Sequence, residues 1–257
     1  MLILTSGDDQ ALALVQAIRR GDLDRLDRLL GDHEGLAAAW IGDRKGGARS
    51  LLHVVTDWPG YFRNGPQVVR VLVGAGADPN ATTPDGGQGE TPLHWAASSD
   101  DVDVADALMD AGAELEVLGG SIAGGTPLDN AVGYGCWHVA RRLVDRGARV
   151  DRLWHAAALG MLARLDELRV ADPPPTAEEI NDAFWQACHG GQRRAAELLL
   201  RQGADINWIP DYAQGTGLDM AAGPDTRREL LATWLDQHGG RNAHEPGAAE
   251  AGRQPER

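Results

Sequence analysis

The sequence predicts an all-α solenoid, in which short helix-turn-helix units, here called repeats, stack along the 257-residue chain. Two stretches with nearly the same residues begin at Thr91 and Thr126, which lie 35 positions apart. The glycines that close these stretches, Gly112 and Gly147, have the same offset. Self-similarity at a fixed period of this size is typical of stacked supersecondary structures, each of which packs on its neighbours.

Each stretch contains residues that begin, pack and end a pair of short helices. A threonine can cap the first helix, and the proline after it lacks only an N–H group that would have no partner there. Small alanines follow, so two helices can approach closely, and a glycine then ends the second helix in a left-handed turn. The predicted structural residues are Thr91, Pro92, Leu93, His94, Gly112, Thr126, Pro127, Leu128, Gly147 and Gly203.

The stretch from Thr91 to Glu114 resembles the ankyrin repeat, whose signature combines Thr-Pro-Leu-His, an alanine pair and a Gly-Ala-Asp turn. The resemblance implies two antiparallel helices per repeat and a projecting loop or hairpin between repeats. It also implies that the signature histidine, here His53 and His94, bonds backbone groups of neighbouring turns and has a structural role. Since Asp129 and other residues take the same position elsewhere, no titrating group is expected to be required there.

The predicted organisation is a cap, an array and a tail. Residues 1–49 are expected to form an N-terminal capping helix pair and a connection, because terminal repeats are often atypical. The array is predicted over 50–239, in approximate repeats 50–80, 91–116, 126–151, 152–170, 181–207 and 216–239. Residues 240–257 are polar and are expected to be a disordered tail.

The fourth repeat is degenerate. Leu153-Trp154-His155 begins it, but Asp172-Pro173-Pro174-Pro175 replaces the closing Gly-Ala-Asp turn. Three successive prolines cannot continue a helix, so a kink is predicted near 169–176. Beyond it, Thr176 and Glu179 have the spacing of a capping box at the start of a new helix.

Composition and charge exclude several function classes. A formal net charge of −14 argues against binding a phosphate backbone, so no nucleic-acid partner is expected. No apolar run is long enough to span a membrane, and the first residues lack the features of a signal peptide. We therefore expect a cytoplasmic monomer that has neither a membrane partner nor a cofactor.

No pattern of catalytic residues stands out, so no catalytic residue and no resident metal are predicted. The sequence lacks a nucleophile with an orienting base at a recognisable spacing, and its Gly-rich stretches lack the Lys-Ser/Thr of a phosphate-binding loop. One alternative stays open, because residues 136–189 are rich in cysteine and histidine. A metal-binding or enzymatic site built there is that alternative.

Partner-binding residues are predicted from the groove that the resemblance implies, which is lined by the first helix of each repeat and by the loops. Aromatic side chains are enriched at the energetic centres of protein interfaces. The candidates on the helices are Trp95, Tyr134, His155 and Leu159, and those in the loops are Trp58, Tyr61, Trp208 and Tyr212. The competing interpretation is that these side chains pack between repeats or cover the hydrophobic seam.

The sequence thus predicts a non-catalytic scaffold that binds an unidentified protein through a concave groove and its loops. An alternative is an acidic inhibitor or immunity-type protein that masks a basic partner. Such an association would weaken with salt, because charge-driven encounters are screened.

Overall fold

The computed structural model describes residues 2–33, 35–42, 46–84, 89–222 and 228–244. Contacts between Cα atoms divide the chain into two compact bodies, Met1–Arg149 and Val150–Arg257, here called the N-terminal and C-terminal bodies. The chain is 53% helical, and fourteen α-helices lie within the described ranges. The prediction of an all-α repeat solenoid is therefore confirmed.

Within the described ranges, the N-terminal body contains eight α-helices. They are α1 (Asp9–Arg20), α2 (Leu23–Gly31), α3 (Leu51–Val55), α4 (Gly65–Gly74), α5 (Pro92–Ser98), α6 (Val102–Asp110), α7 (Pro127–Gly133) and α8 (Trp137–Asp145). Their buried faces consist mainly of leucine, valine and alanine, and the fully buried side chains include Leu14, Leu52, Leu72, Leu93, Leu108 and Leu128. Helix α3 packs on both α1 and α5, and α5 packs on α7, so successive repeats share one hydrophobic core.

A small sheet precedes the first repeat. Strands β1 (Ile3–Thr5) and β2 (Trp40–Gly42) pair in parallel, and β2 pairs with β3 (Ala48–Ser50) in antiparallel fashion. The sequence predicted only a capping helix pair and a connection over residues 1–49, without strands. Strands of three residues are too short to show the alternation of polar and apolar residues by which a strand is recognised.

The C-terminal body contains six helices. They are α9 (Leu153–Leu159), α10 (Leu162–Arg169), α11 (Ala177–His189), α12 (Arg193–Arg201), α13 (Gly217–Ala222) and α14 (Glu229–Gln237). Helix α11 is the longest and packs on α9, α12 and α13. The capping box predicted at its start is present, since the Thr176 side chain accepts from the Glu179 N–H and the Glu179 carboxylate accepts from the Thr176 N–H. The predicted kink near 169–176 stays a prediction.

The turn glycines have the predicted backbone conformation. Gly112, Gly147 and Gly203 have φ values of +94°, +102° and +96°, a region that favours residues without a Cβ atom. After Gly112, the Ala113 N–H donates to the Leu108 carbonyl over 2.9 Å and closes the end of the helix.

Residues at the start of the predicted tail are hydrogen-bonded to the last repeat. The Gly240 N–H donates to the Leu235 carbonyl, and the Ala243 N–H donates to the Asp219 carboxylate, each over 2.9 Å. Residues 240–243 are thus held against the last repeat, and the expectation of a disordered tail over 240–257 stays a prediction. Residues 245–257 lie outside the described ranges. In the described parts of the chain, no helix is both long and apolar enough to cross a bilayer.

Candidate functional site

The junctions between repeats use the signature histidines as two-sided linkers. The Thr91 N–H donates to His94 Nδ1 over 3.1 Å, and His94 Nε2 lies 3.1 Å from the Gly125 carbonyl oxygen of the next repeat. A carbonyl oxygen only accepts, so Nε2 carries the proton and donates, while Nδ1 is the acceptor. His53 repeats the arrangement one repeat earlier, with its Nε2 donating to the Glu90 carbonyl over 2.9 Å.

These histidines are neutral structural groups. Burial lowers the pKa of His53 from 6.5 to about 4, and burial also lowers the pKa of His94. At the same position in the fifth repeat, Trp185 Nε1 donates to the Gly215 carbonyl over 2.9 Å. At these three positions the shared feature is an N–H donor that reaches the carbonyl of the next repeat, and the donor need not be a titrating group.

One cleft in the N-terminal body brings together three of the predicted partner-binding residues, Trp58, Trp95 and Tyr134. We call it the Trp58–Tyr134 cleft, and its volume is about 320 Å³. Its lining residues are Thr56, Asp57, Trp58, Glu90, Trp95, Ser98, Ser99, Ser121 and Tyr134. The lining thus combines three aromatic rings with hydroxyl and carboxylate groups, and we call these polar groups the polar floor of the cleft.

The three aromatic residues differ in their exposure to solvent. Trp58 is 80% exposed and Tyr134 is 53% exposed, so large parts of both rings face solvent. Trp95 is half-buried, and its ring meets the His53 imidazole edge-on with 4.9 Å between centroids. Trp95 therefore packs between repeats and also lines the cleft, which combines the two interpretations of the sequence.

A hydrogen-bond network fixes the polar floor of this cleft. Glu90 Oε1 accepts from the Ser121 N–H over 2.9 Å and from Asn130 Nδ2 over 2.7 Å. The Tyr134 hydroxyl donates to Ser121 Oγ over 3.2 Å. Burial opposes ionisation of Glu90, but the hydrogen bonds from Asn130 and Ser121 outweigh it and lower the pKa of the carboxyl group. The floor therefore carries a negative charge at neutral pH.

The loop that presents Trp58 is anchored on both sides. Asp57, the preceding residue, accepts from Arg19 over 2.6 Å and from Arg49 over 2.9 Å. On the other side, the Tyr61 N–H donates to an Asp101 carboxylate oxygen over 2.6 Å. Tyr61 does not line the cleft, and its hydroxyl donates to a backbone carbonyl of the next repeat, so the structure gives this predicted partner-binding residue an anchoring position.

A second concavity lies wholly within the C-terminal body and brings together Trp208 and Tyr212, the two predicted residues of the last loop. We call it the Trp154–Tyr212 cavity, and its volume is about 750 Å³. Its lining residues are Asp151, Arg152, Leu153, Trp154, Leu168, Ala171, Pro173, Pro174, Pro175, Thr176, Glu178, Glu179, Asp182, Trp208, Asp211 and Tyr212. The proline run that replaces the fourth turn thus forms part of a wall.

Tyr212 is fixed at this cavity by polar and aromatic contacts. Its hydroxyl donates to Asp182 Oδ1 over 2.5 Å and accepts from Gln186 Nε2 over 3.1 Å. Its ring meets the Trp185 ring edge-on with 5.7 Å between centroids. Burial raises the pKa values of both Asp182 and Tyr212. The Asp182 carboxylate adds to the rise at Tyr212, whereas the hydrogen bond from Tyr212 opposes the rise at Asp182.

His155 and Leu159 belong to neither concavity. The His155 side chain is only 1% exposed, and its ring meets the Trp154 ring edge-on with 4.1 Å between centroids, so the imidazole predicted to contact a partner packs inside the body. Counting positions from the signature identified the helix but not the face on which the imidazole lies. Leu159 is half-buried at the end of α9.

The comparison with family models decides the identity of the repeats. The model for ankyrin repeats (three copies) matches residues 60–152. The protein contains ankyrin repeats. The resemblance inferred from the signature residues is therefore confirmed.

Solved structures extend the similarity of the fold beyond the matched ankyrin repeats. The crystal structure of the human ASB11 ankyrin repeat domain is 18% identical, with a TM-score of 0.50. The alignment covers 86% of this chain and 96% of that domain. At this identity the likeness concerns the fold alone. No curated protein sequence matches the chain.

Ankyrin repeats generally mediate protein–protein interactions, and the fold is typically a non-catalytic scaffold. Within the described ranges, no group of three or more His, Cys, Asp or Glu side chains is arranged to hold a metal ion. Cys136 and Cys188 are buried free thiols, and burial raises the pKa of Cys136 to about 11. The alternative of a metal site at 136–189 thus lacks a ligand set among the residues described.

Sequence reasoning did not identify Glu90, Asn130 and Ser121 as parts of the cleft, or Trp154 and Asp182 as parts of the cavity. Glu90 directly precedes the signature threonine Thr91, and its backbone carbonyl accepts a hydrogen bond from His53 of the preceding repeat. The sequence could have indicated Glu90, because the residue before Thr91 must lie at the junction of two ankyrin repeats.

Proposed function

We propose that this protein is a non-catalytic binding protein and that it engages a protein partner through the Trp58–Tyr134 cleft. The observation that carries the proposal is the exposure of two large aromatic side chains, Trp58 and Tyr134, that line one cleft. Exposed apolar patches of this kind often mark interaction sites, and tryptophan and tyrosine dominate the energetic centres of interfaces.

The anchoring of the Trp58 loop supports the proposal. Asp57 is held by two arginines, and the backbone of Tyr61 is held by Asp101, so the loop is restrained at both ends. A side chain that is already positioned loses less conformational entropy when a partner covers it. An exposed tryptophan on a restrained loop is therefore better suited to binding than one on a free loop.

The floor of the cleft supplies polarity that suits a protein partner. Interfaces typically surround a few aromatic anchors with hydrogen-bonding groups. The charged Glu90 carboxylate, which already accepts from Asn130 and Ser121, favours a partner segment that presents donors. A purely apolar segment would remove water from this carboxylate without supplying a hydrogen-bond donor, which costs on the order of several kcal/mol.

The test is affinity capture from native lysate, followed by titration with the purified captured protein. The Trp58→Ala/Tyr134→Ala variant should lose most of the retained partner, at a cost of about 2 kcal/mol or more, which is roughly a 30-fold drop in affinity. The matched control is Leu230→Ala, which removes a side chain that is also 80% exposed but lies outside the cleft. Retention of the same proteins by the double variant would refute the assignment of the cleft.

We also propose that the protein acts as a monomer in the cytoplasm. The net charge of −14 opposes self-association, and two free thiols suit a reducing compartment. Light scattering on the purified chain tests the oligomeric state, and a dimer mass at micromolar concentration would contradict it. Microscopy of the tagged chain in its own cells tests the location, and secretion would contradict it.

A further inference from the structure

The Trp154–Tyr212 cavity has the size of a ligand site. Its volume of about 750 Å³ lies within the range of roughly 300–1,000 Å³ that is typical of pockets for small ligands and inserted side chains. Three aromatic residues line it, Trp154, Trp208 and Tyr212, together with the prolines 173–175. These flat, rigid side chains give the cavity apolar walls.

The same cavity is strongly acidic. Its lining contains five carboxylates, Asp151, Glu178, Glu179, Asp182 and Asp211, and one basic residue, Arg152, which leaves a formal charge of 1 − 5 = −4. Glu179 is used by the helix cap, where it accepts from the Thr176 N–H. The other four carboxylates take no part in that cap.

Asp182 is the carboxylate that most needs a counter-charge. It is half-buried, and its hydrogen-bond donor among the described residues is the neutral Tyr212 hydroxyl. The charged groups that act on it, Glu178 and Asp211, are both acidic. A partly buried carboxylate near like charges is stabilised when a cation approaches.

Aromatic faces and carboxylates in one cavity favour a particular kind of cation. A guanidinium group stacks on aromatic rings and presents five N–H donors that can pair with two carboxylates at once. It is also less strongly hydrated than an ammonium group, so that moving it into a cavity costs less. A neutral ligand would leave the carboxylates without a counter-charge.

We propose that the Trp154–Tyr212 cavity binds an arginine side chain presented by a basic peptide segment of a partner protein. The guanidinium group lies against the aromatic walls and pairs with Asp182 and Asp211. Asp211, Pro173 and Pro174 are exposed, so the rim leaves room for the peptide backbone to continue on either side. This inference deepens the proposed function, because it names the chemistry of a partner at a second surface of the scaffold.

The experiment is isothermal titration of the full-length chain with three capped peptides, Gly-Ser-Xaa-Ser-Gly, in which Xaa is arginine, citrulline or lysine. Citrulline has nearly the shape of arginine but carries no charge. We expect the arginine peptide to bind at least about tenfold more tightly than the citrulline peptide, with lysine in between. Equal binding of arginine and citrulline peptides, or no binding of the arginine peptide at millimolar concentration, would overturn the proposal.

Variants locate the binding within the cavity. Asp182→Asn keeps an acceptor for the Tyr212 hydroxyl and Asp211→Asn changes an exposed group, so both should remain folded while weakening arginine-peptide binding by about tenfold or more. The matched control is Asp236→Asn, which removes the same charge from an exposed position of the same body outside the cavity. Equal losses in all three variants would mean that overall charge attracts the peptide, and the proposal would fall.

Two further comparisons test whether the cation belongs to a peptide segment and whether the cavity binds independently of the cleft. Free arginine amide should bind more weakly than the peptide, and an equal affinity would contradict the assignment to a peptide segment. The Trp58→Ala/Tyr134→Ala variant should bind the arginine peptide as the wild type does, and loss of the peptide in that variant would also contradict it. The proposal for the cavity and the proposal for the cleft can therefore be refuted independently.

Discussion

The buried histidine of the first repeat should make the stability of this protein depend on pH in a calculable way. His53 is fully buried, with Nδ1 accepting from the Ser50 N–H and Nε2 donating to the Glu90 carbonyl. A second proton would have to be placed on Nδ1, where it would face the Ser50 N–H donor. Burial therefore lowers the pKa of His53 from 6.5 to about 4.

The sign and size of the effect follow from this shift. Because the folded-state pKa lies below the unfolded-state value, the unfolded chain binds the proton first as the pH falls. The contribution of His53 to stability is fully present above about pH 6.5, and it declines as the pH falls towards 4. Each pKa unit is worth roughly 1.4 kcal/mol, so the total loss from His53 is about 3 kcal/mol.

The comparison variant is His53→Gln, which keeps polar atoms at this position but cannot be protonated. At neutral pH it should be less stable than the wild type by about 1–3 kcal/mol, because the buried hydrogen bonds are incompletely replaced. The difference in free energy of unfolding between wild type and variant should shrink as the pH falls from about 7.5 to about 4.5. Urea unfolding followed by circular dichroism at several pH values measures it.

A difference that stays constant across this range, or that grows on acidification, would refute the reasoning. The control is His33→Gln, which removes an exposed imidazole and should retain the pH profile of the wild type. If His53→Gln proves too unstable to fold, the proton titration of His53 in the wild type can be followed by NMR. A midpoint near 6.5 would then contradict the predicted burial effect.

Three other outcomes follow from local geometry. Gly190→Ala should destabilise the C-terminal body by about 2 kcal/mol or more, because the new Cβ atom would lie 2.0 Å from the Ala158 carbonyl oxygen, and thermal unfolding measures the loss. Trp185→Phe should cost about 1–3 kcal/mol, since the Gly215 carbonyl loses its buried donor, and urea unfolding checks it. The Cys136 thiol, whose pKa burial raises to about 11, should react slowly with a disulfide reagent near pH 8 until the protein unfolds, as absorbance of the released thiolate reports.

Each of these outcomes has a clear opposite. Gly203→Ala is the control for Gly190→Ala, because its Cβ atom would meet no neighbour and only its backbone conformation is strained. Equal destabilisation by the two variants would show that the close approach at Gly190 is absent. A Trp185→Phe variant as stable as the wild type would show that the indole does not stabilise the junction between repeats. Rapid reaction of native Cys136 would contradict its burial.

The signature residues determined much of the fold without any structure. A threonine cap, a proline in the first turn, small alanines and a closing glycine act within a few residues, so their effect can be read from spacing alone. Thr91 and Gly112 are where these rules place them, at the start and end of a helix pair. The position after the fourth signature residue predicted Trp95 as a groove residue, and Trp95 lines the Trp58–Tyr134 cleft.

Other features depend on contacts between residues far apart in the chain. Trp58 became a cleft residue because Arg19, Arg49 and Asp101 hold its loop beside Tyr134, and no local pattern encodes those pairings. The three-stranded sheet is another case, since β1 and β2 meet across more than thirty residues.

The face on which a side chain lies was likewise decided only by packing. His155 follows the signature position as Trp95 does, yet in a degenerate repeat its ring lies inside the body. Which side of a short helix is buried depends on the surfaces that pack against it, and counting from the signature does not determine that side. Local backbone preferences therefore fix where the repeats of this protein begin and end, while burial of the whole surface fixes which side chains are left to meet a partner.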